Sequence, residues 1–424
     1  MKNFYLIALI LVSTFAQAQI VTIPDANFKN ALVNTLCVDT DGNGLGDSDA
    51  DTNNDGEIQL SEAEAVISLL IDAQNISSLQ GIENFNNLEM MSCGGNDFTS
   101  LELSQNSNLR SLSCINGQLI SLVVTQNPNL DYLACYGNQI TALDVTQNPN
   151  LLILYCYQNQ ITALDVTQNP LLFQLRCQEN LLTTLDVTQN SDLEWLLCFE
   201  NQLISLDLGQ HLNLIHISCF DNQLTSLDLT QIPNLETFLC FNNQLTSIDV
   251  TQNPILDWLY CDGNNLSSLD VSQNPIIDQL RCYSNQLTSL NLKNGNNLNL
   301  TGLFAYDNPN LNCIQVDDEN YANTLDCAND YWCKDEWAEY SEDCALGLEN
   351  NNYITFSMFP NPTQKVLNIE SKEQIQNVKI YSIQGQLINE VSVSKVDVSS
   401  LAKGLYFVQV TIEGKTLSKK FIKQ

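Results

Sequence analysis

From residue 66 to residue 312 the apolar positions recur on a fixed ruler. A clear unit runs Leu130-Asp131-Tyr132-Leu133-Ala134-Cys135-Tyr136-Gly137-Asn138-Gln139-Ile140-Thr141-Ala142-Leu143-Asp144-Val145-Thr146-Gln147-Asn148-Pro149. Leu133 and Cys135 alternate with Tyr132, Ala134 and Tyr136, a period of two that predicts a short strand with leucine and cysteine pointing inward. Ile140, Leu143 and Val145 cover the other side of the core. Asn148-Pro149 predicts a turn, because proline cannot join a ladder. The cysteine falls at 93, 114, 135, 156, 177, 198, 219, 240, 261 and 282, one every 21 residues. A unit this small cannot bury a core alone, so stacked copies must share one. The pattern predicts a solenoid of about twelve turns, ten of them regular. Ile71 and Ala305, with Asn308 after it, mark degenerate turns at the two ends. At ~4.8 Å per strand the coil is on the order of 55 Å long.

Three rows of equivalent positions follow. The cysteines read as buried small hydrophobes. Parallel strands in register hold their Cβ atoms about 4.8 Å apart, too far for relaxed disulfides between rungs. The asparagines Asn96, Asn138, Asn159, Asn180, Asn201, Asn222, Asn243, Asn264 and Asn285 stand where the chain leaves each strand, and their amides suit buried backbone groups of the turn. Gly117 interrupts that row. The aspartates Asp144, Asp165, Asp186, Asp207, Asp228, Asp249 and Asp270 form an acidic row. Local Asp-x-Thr turns with Thr146, Thr167 and Thr188 offset its repulsion, with calcium bridging between rungs as the alternative.

This L-x-x-L-x-C-x-x-N-x-L pattern resembles the leucine-rich repeat family. The resemblance implies a repeat solenoid whose parallel β-strands line a concave face, with a small helical N-terminal cap and a C-terminal β-sandwich domain. It also implies that the outward strand positions form the working face. Of 30 such positions 11 are aromatic, against 8% of the whole chain. The candidate ligand-binding residues are Tyr132, Tyr136, Tyr155, Tyr157, Trp195, Phe199, Phe220, Phe241, Trp258, Tyr260 and Tyr283. His216 shares the face, and Arg176 and Arg281 there suit a carboxylate or sulfate. Exposed aromatic surface on this scale predicts binding of an extracellular protein or glycan. The alternative is a calcium-stiffened spacer, adhesin or matrix component with no specific concave-face ligand. An enzyme is not expected: the chain has two histidines, His211 and His216, and no nucleophile–base pair.

The two ends differ from the repeat. Asp51-Thr-Asn-Asn-Asp-Gly-Glu-Ile-Gln-Leu-Ser-Glu62 matches D-x-[DN]-x-[DN]-G-x5-E and resembles an EF-hand or dockerin-type calcium loop. Its metal ligands would be Asp51, Asn53, Asp55, the Glu57 carbonyl and Glu62, with Gln59 through water and a structural calcium ion as cofactor. Helical patterns flank it at Asp25–Leu36 and Ser61–Leu70. Upstream, Asp39, Asp41, Asn43 and Asp47 form a weaker second loop, since Ala50 stands at its twelfth position. Beyond the repeats, Cys313, Cys327, Cys333 and Cys344 lie in a short acidic segment and allow three pairings. Caps of similar repeat proteins close their last turn onto the chain end, which implies Cys313–Cys344 with Cys327–Cys333. Cys37 is then left unpaired.

The remaining features concern export. Lys2, the apolar run Phe4–Val12 and Ala16-Gln17-Ala18 read as a signal peptide. No stretch is long enough to span a bilayer. Formal net charge is −33. From Ile354 to the end, nine lysines face five acids, whereas between the signal and Tyr353 six basic residues face 44 acidic ones. A body this acidic excludes nucleic acid as a main partner. The tail opens with Phe359-Pro-Asn-Pro-Thr363, alternates through Val366–Ile369, Val378–Tyr381 and Gly404–Val410, and ends on Lys419-Lys-Phe-Ile-Lys423. It resembles the type A C-terminal sorting domain of the type IX secretion system. The resemblance implies recognition of the tail by that machinery and a secreted or cell-surface location on a Gram-negative bacterium. The expected organisation is therefore signal peptide 1–18, acidic calcium-loop cap 19–65, repeats 66–312, disulfide-containing cap 313–348, linker 349–356 and sorting domain 357–424.

Overall fold

The 21-residue ruler becomes strand register. In the computed structural model, which describes residues 19–344, 356–412 and 414–424, Tyr132 pairs with Ile153, Leu133 with Leu154 and Ala134 with Tyr155, all parallel. The same register repeats from the strand Ser68–Leu70 to Trp332–Cys333, giving a 13-stranded parallel sheet in chain order among the described residues. The signal peptide and all of the linker but Phe356 lie outside the described residues. The chain divides into two units, Met1–Cys344 and Ala345–Gln424.

In the first unit the inward leucines and all ten cysteines of the row are buried and unpaired, as is Cys37. Burial pushes their thiols up, those of Cys156 and Cys219 to about 12, so they stay protonated and inert. The expected asparagine row is present. The Asn138 amide donates to the Cys114 and Cys135 carbonyls at 2.8 and 3.0 Å and accepts from the Leu119 amide at 3.0 Å. Each rung is thus tied to the one before it. The Asp-x-Thr turns also form: Thr146 donates its hydroxyl and its amide to Asp144 at 2.7 and 3.0 Å, and the same pair recurs at Asp165, Asp228 and Asp249. Hydroxyl and amide together hold these four carboxyls below their usual range, so they remain ionised.

A second asparagine ladder was not read from the sequence, where Asn148-Pro149 passed as a turn. Asn106, Asn127, Asn148, Asn169, Asn190, Asn253 and Asn274 are all fully buried. The Asn148 amide donates to the Val124 and Asn127 carbonyls at 3.0 and 2.9 Å, one rung back. His211 takes the place of one member. It is fully buried, neither ring nitrogen has a partner, and burial lowers its pKa. His211→Asn restores the two donated bonds, and a gain of about 1–3 kcal/mol is expected in denaturant melts. The unfolded chain takes a proton near pH 6.5 while folded His211 does not, so stability falls as pH drops below about 6.5. That fall shrinks in the variant. Equal pH profiles for the two chains would refute the assignment.

The coil continues into the C-terminal cap. Cys313–Gln315 and Glu339–Ser341 extend a second ladder on the other side, and Trp332–Cys333 closes the long sheet. The disulfides are Cys313–Cys344 and Cys327–Cys333. At the N-terminal end α1 (Ala26–Asn34), capped by Asp25, packs Phe28, Ala31 and Leu32 into the core, and α2 (Leu60–Ala63) follows the acidic loops. The second helix is shorter than its pattern suggested, because the chain from Ser68 is drawn into the sheet.

The second unit is an antiparallel sandwich. One sheet holds Phe356–Phe359, Val366–Ser371 and Lys395–Asp397, and the other Ile375–Ser382, Leu387–Val391, Gly404–Ile412 and Lys415–Lys423. Its core includes Phe356, Leu367, Ile369, Val378, Ile380, Val408, Val410 and Phe421.

Candidate functional site

Strand alternation sends every third, first and following neighbour of the cysteines to the concave side. Register then places equal positions on adjacent rungs, so like side chains meet. Tyr136 stacks on Tyr157 with ring centroids 4.2 Å apart. Phe199, Phe220 and Phe241 stack in file at 4.3 and 4.2 Å. Tyr283 stacks on Tyr306 at 4.8 Å. Tyr306 was not named from the sequence. The signal for it was present, since Ala305 occupies the cysteine place of that turn and Tyr306 follows it. Stacking leaves these rings half-buried; Trp258, at 42% exposure, is the most open of the candidate rings.

On the neighbouring rows Tyr132 meets Tyr155 edge-on at 6.0 Å, Trp195 stacks on His216 at 4.9 Å, and Trp258 lies 5.9 Å from Tyr260. Burial, and then the Arg176 charge, lower the His216 pKa, so this ring is neutral at pH 7. The Arg176 guanidinium sits 4.7 Å over Tyr155, and that of Arg281 sits 4.1 Å over Tyr260 and 5.4 Å from Phe304. Neither arginine is in an ion pair among the described residues, and both Nε atoms are buried without a partner. Two rungs break the central file: Gln178 and Asp262 are both buried. Burial raises the Asp262 carboxyl, while the Tyr283 hydroxyl beside it and the Arg281 charge lower it. The face thus brings together all fourteen residues expected on it, as stacked aromatic files with two cationic points.

The acidic cap holds the two candidate metal loops. In the first, Asp51 is buried and accepts from the Asp55 and Gly56 amides at 3.1 and 2.8 Å. Gly56 adopts φ +82°, the left-handed conformation that the sharp turn requires. Glu62 turns back into the loop and accepts from Thr52 Oγ1, the Asn53 amide and the Gln59 amide. Its side chain closes both the loop and the start of α2. Asp51, Asn53, Asp55, the Glu57 carbonyl and Glu62 are all oxygen donors, a set that fits calcium. Gln59 instead donates to the Asp55 carboxylate and accepts from Asn53. The structure gathers the carboxylates of the second loop more tightly. Asp39, Asp41 and Asp47 bring an oxygen each within 4.8 Å of one another, the one such trio among the described residues.

With this geometry in view, residues 357–424 match the family described as a secretion system C-terminal sorting domain. Comparison with curated proteins gives no match. Among solved structures the chain is similar to an internalin (inlF) from Listeria monocytogenes, at 19% identity over 75% of this chain and 96% of that one, with a TM-score of 0.51. It is similar to the leucine-rich repeat domain of APL1, at 20% identity over 61% and 69% of the two chains, with a TM-score of 0.50. The functional domain of InlJ from Listeria monocytogenes, which includes a cysteine ladder, aligns at 23% identity over 96% and 99% with a TM-score of 0.43. The fold is that of a leucine-rich repeat protein, and the tail is a type IX sorting domain that marks the chain for secretion or cell-surface display. Among the described residues no helix is long and apolar enough to cross a membrane.

Proposed function

We propose that this is a binding protein of the exterior of a Gram-negative bacterium, exported through its tail by the type IX machinery, that takes an extracellular protein or glycan on the concave face. The observation that carries this reading is the set of stacked aromatic files interleaved with Arg176 and Arg281. In a body with 44 acidic residues, two guanidinium groups that rest on tyrosine rings and form no ion pair among the described residues keep donors for a ligand. Aromatic rings give a ligand large contact area at low entropy cost, and the arginines add directional donors. In the same reading the Asp51–Glu62 loop holds a calcium ion that stiffens the cap beneath α1.

The test uses the full chain on an array of extracellular proteins and glycans. Phe220→Ala combined with Trp258→Ala is expected to weaken retention of the bound species by at least about ten-fold, or 1.4 kcal/mol. Unchanged retention with a lowered melting temperature would assign the rings to stability and favour a spacer.

A further inference from the structure

The two acidic loops of the N-terminal cap share one wiring. In the first, the Asn53 side chain accepts from the Asp55 amide and that of Asp55 from the Glu57 amide, at 2.8 and 2.9 Å. In the second, Asp41 accepts from the Asn43 amide and Asn43 from the Leu45 amide, at 3.1 and 2.8 Å. The leading aspartates match as well: Asp39 accepts from Gly44 at 2.8 Å as Asp51 does from Gly56. The loops diverge at their ends. Glu62 closes the first, whereas Ala50 at the twelfth place of the second offers no side-chain oxygen, and Asp47 joins Asp39 and Asp41 instead.

The second loop also opens onto a cavity of about 630 Å³. Asp39, Asp41, Glu89, Asp131 and Arg110 line it, with Arg110 paired to Asp131 at 2.8 Å. Ile67 and Met90 expose apolar surface to it. Ser68, which also lines it, is 7% exposed and its hydroxyl has no hydrogen-bond partner. A buried hydroxyl without a partner costs free energy unless a ligand satisfies it.

We propose that the Asp39–Asp47 loop is a calcium site whose unfilled coordination positions take neighbouring hydroxyls of a neutral sugar seated in this cavity. Calcium takes roughly six to eight oxygens. Asp39, Asp41, Asn43, the Leu45 carbonyl and Asp47 leave part of that shell to other donors. The carboxylate of Glu89 repels an acidic ligand and accepts from hydroxyls, and Arg110 neutralises Asp131. Ser68 adds a further donor or acceptor, and Ile67 with Met90 suits the C–H face of a sugar ring. This site borders the concave face one rung before Tyr132, and its test separates it from the stacked aromatic files.

Calorimetric titration of the full chain with calcium chloride counts the ions bound. Asp41→Asn with Asp47→Asn is expected to bind one equivalent fewer. On an array of neutral and acidic glycans in calcium, the wild-type chain is expected to retain neutral glycans. Signal falls at least ten-fold in EGTA and in the double variant. Met90→Trp, which fills the cavity without touching the loop, is expected to keep the calcium equivalent and lose the glycan. An unchanged calcium count, calcium-independent retention, absence of neutral-glycan retention, or retention by the Met90→Trp chain would each overturn the proposal. Retention lost in Phe220→Ala but kept in the double variant would overturn it too, and place the sugar on the aromatic files.

Discussion

Cys198→Asp abolishes the cooperative thermal transition of the central turns, whereas Cys198→Ala lowers it by only a few degrees. Cys198 is fully buried among leucines, and its thiol is held far from ionisation by burial. A carboxylate there is either charged without a partner or protonated at several kcal/mol of cost. The coil has no second layer to absorb a defect, because each turn's core is made by its two neighbours. Alanine removes only a sulfur atom and leaves a small void, a loss of about 1–2 kcal/mol. Circular-dichroism melts of the two variants decide the matter. Indistinguishable melts would mean that the cysteine row does not line the interior.

Asn180→Ala is expected to cost about 3–6 kcal/mol, far more than an ordinary polar-to-alanine change. The Asn180 amide donates to the Cys156 and Cys177 carbonyls at 3.0 and 3.1 Å and accepts from the Ile161 amide at 2.9 Å. These are backbone groups at a turn where no strand partner replaces the lost bonds. Each buried group left unpaired costs about 1–3 kcal/mol. Asn150 is a matched control: it also donates to a carbonyl of the previous rung, Pro128, but it is exposed. Its alanine variant is expected within about 0.5 kcal/mol of wild type. Denaturant midpoints measure both, and equal losses would show that the asparagine row is not structural.

Periodicity made the coil readable. Leu133 and Cys135 point inward because strand alternation and a shared core leave them nowhere else to go, and the sequence carries both facts. The aromatic files followed from the same register, which is why Phe199, Phe220 and Phe241 are stacked as their spacing implied. The second asparagine ladder escaped notice because Asn148 precedes proline, a dipeptide that explains itself locally as a turn. Only the stacking of rungs shows its amide reaching carbonyls 21 and 24 residues back. The metal loops reversed in prominence for a similar reason. The motif ending at Glu62 is the stronger string, yet the fold converges Asp39, Asp41 and Asp47 and sets two of them against a cavity built from residues as distant as Asp131.

The amino-acid string by itself determined the repeat length, the inward direction of the core leucines and cysteines of the repeat, the exported character of the chain and its sorting tail, since these depend on periodicity and local chemistry. Tertiary structure alone decided which polar groups lie buried without partners, that Arg176 and Arg281 rest on tyrosines one rung away, and that the weaker acidic loop borders an open cleft. Those outcomes depend on distances between residues far apart in the chain, which spacing along one strand does not encode.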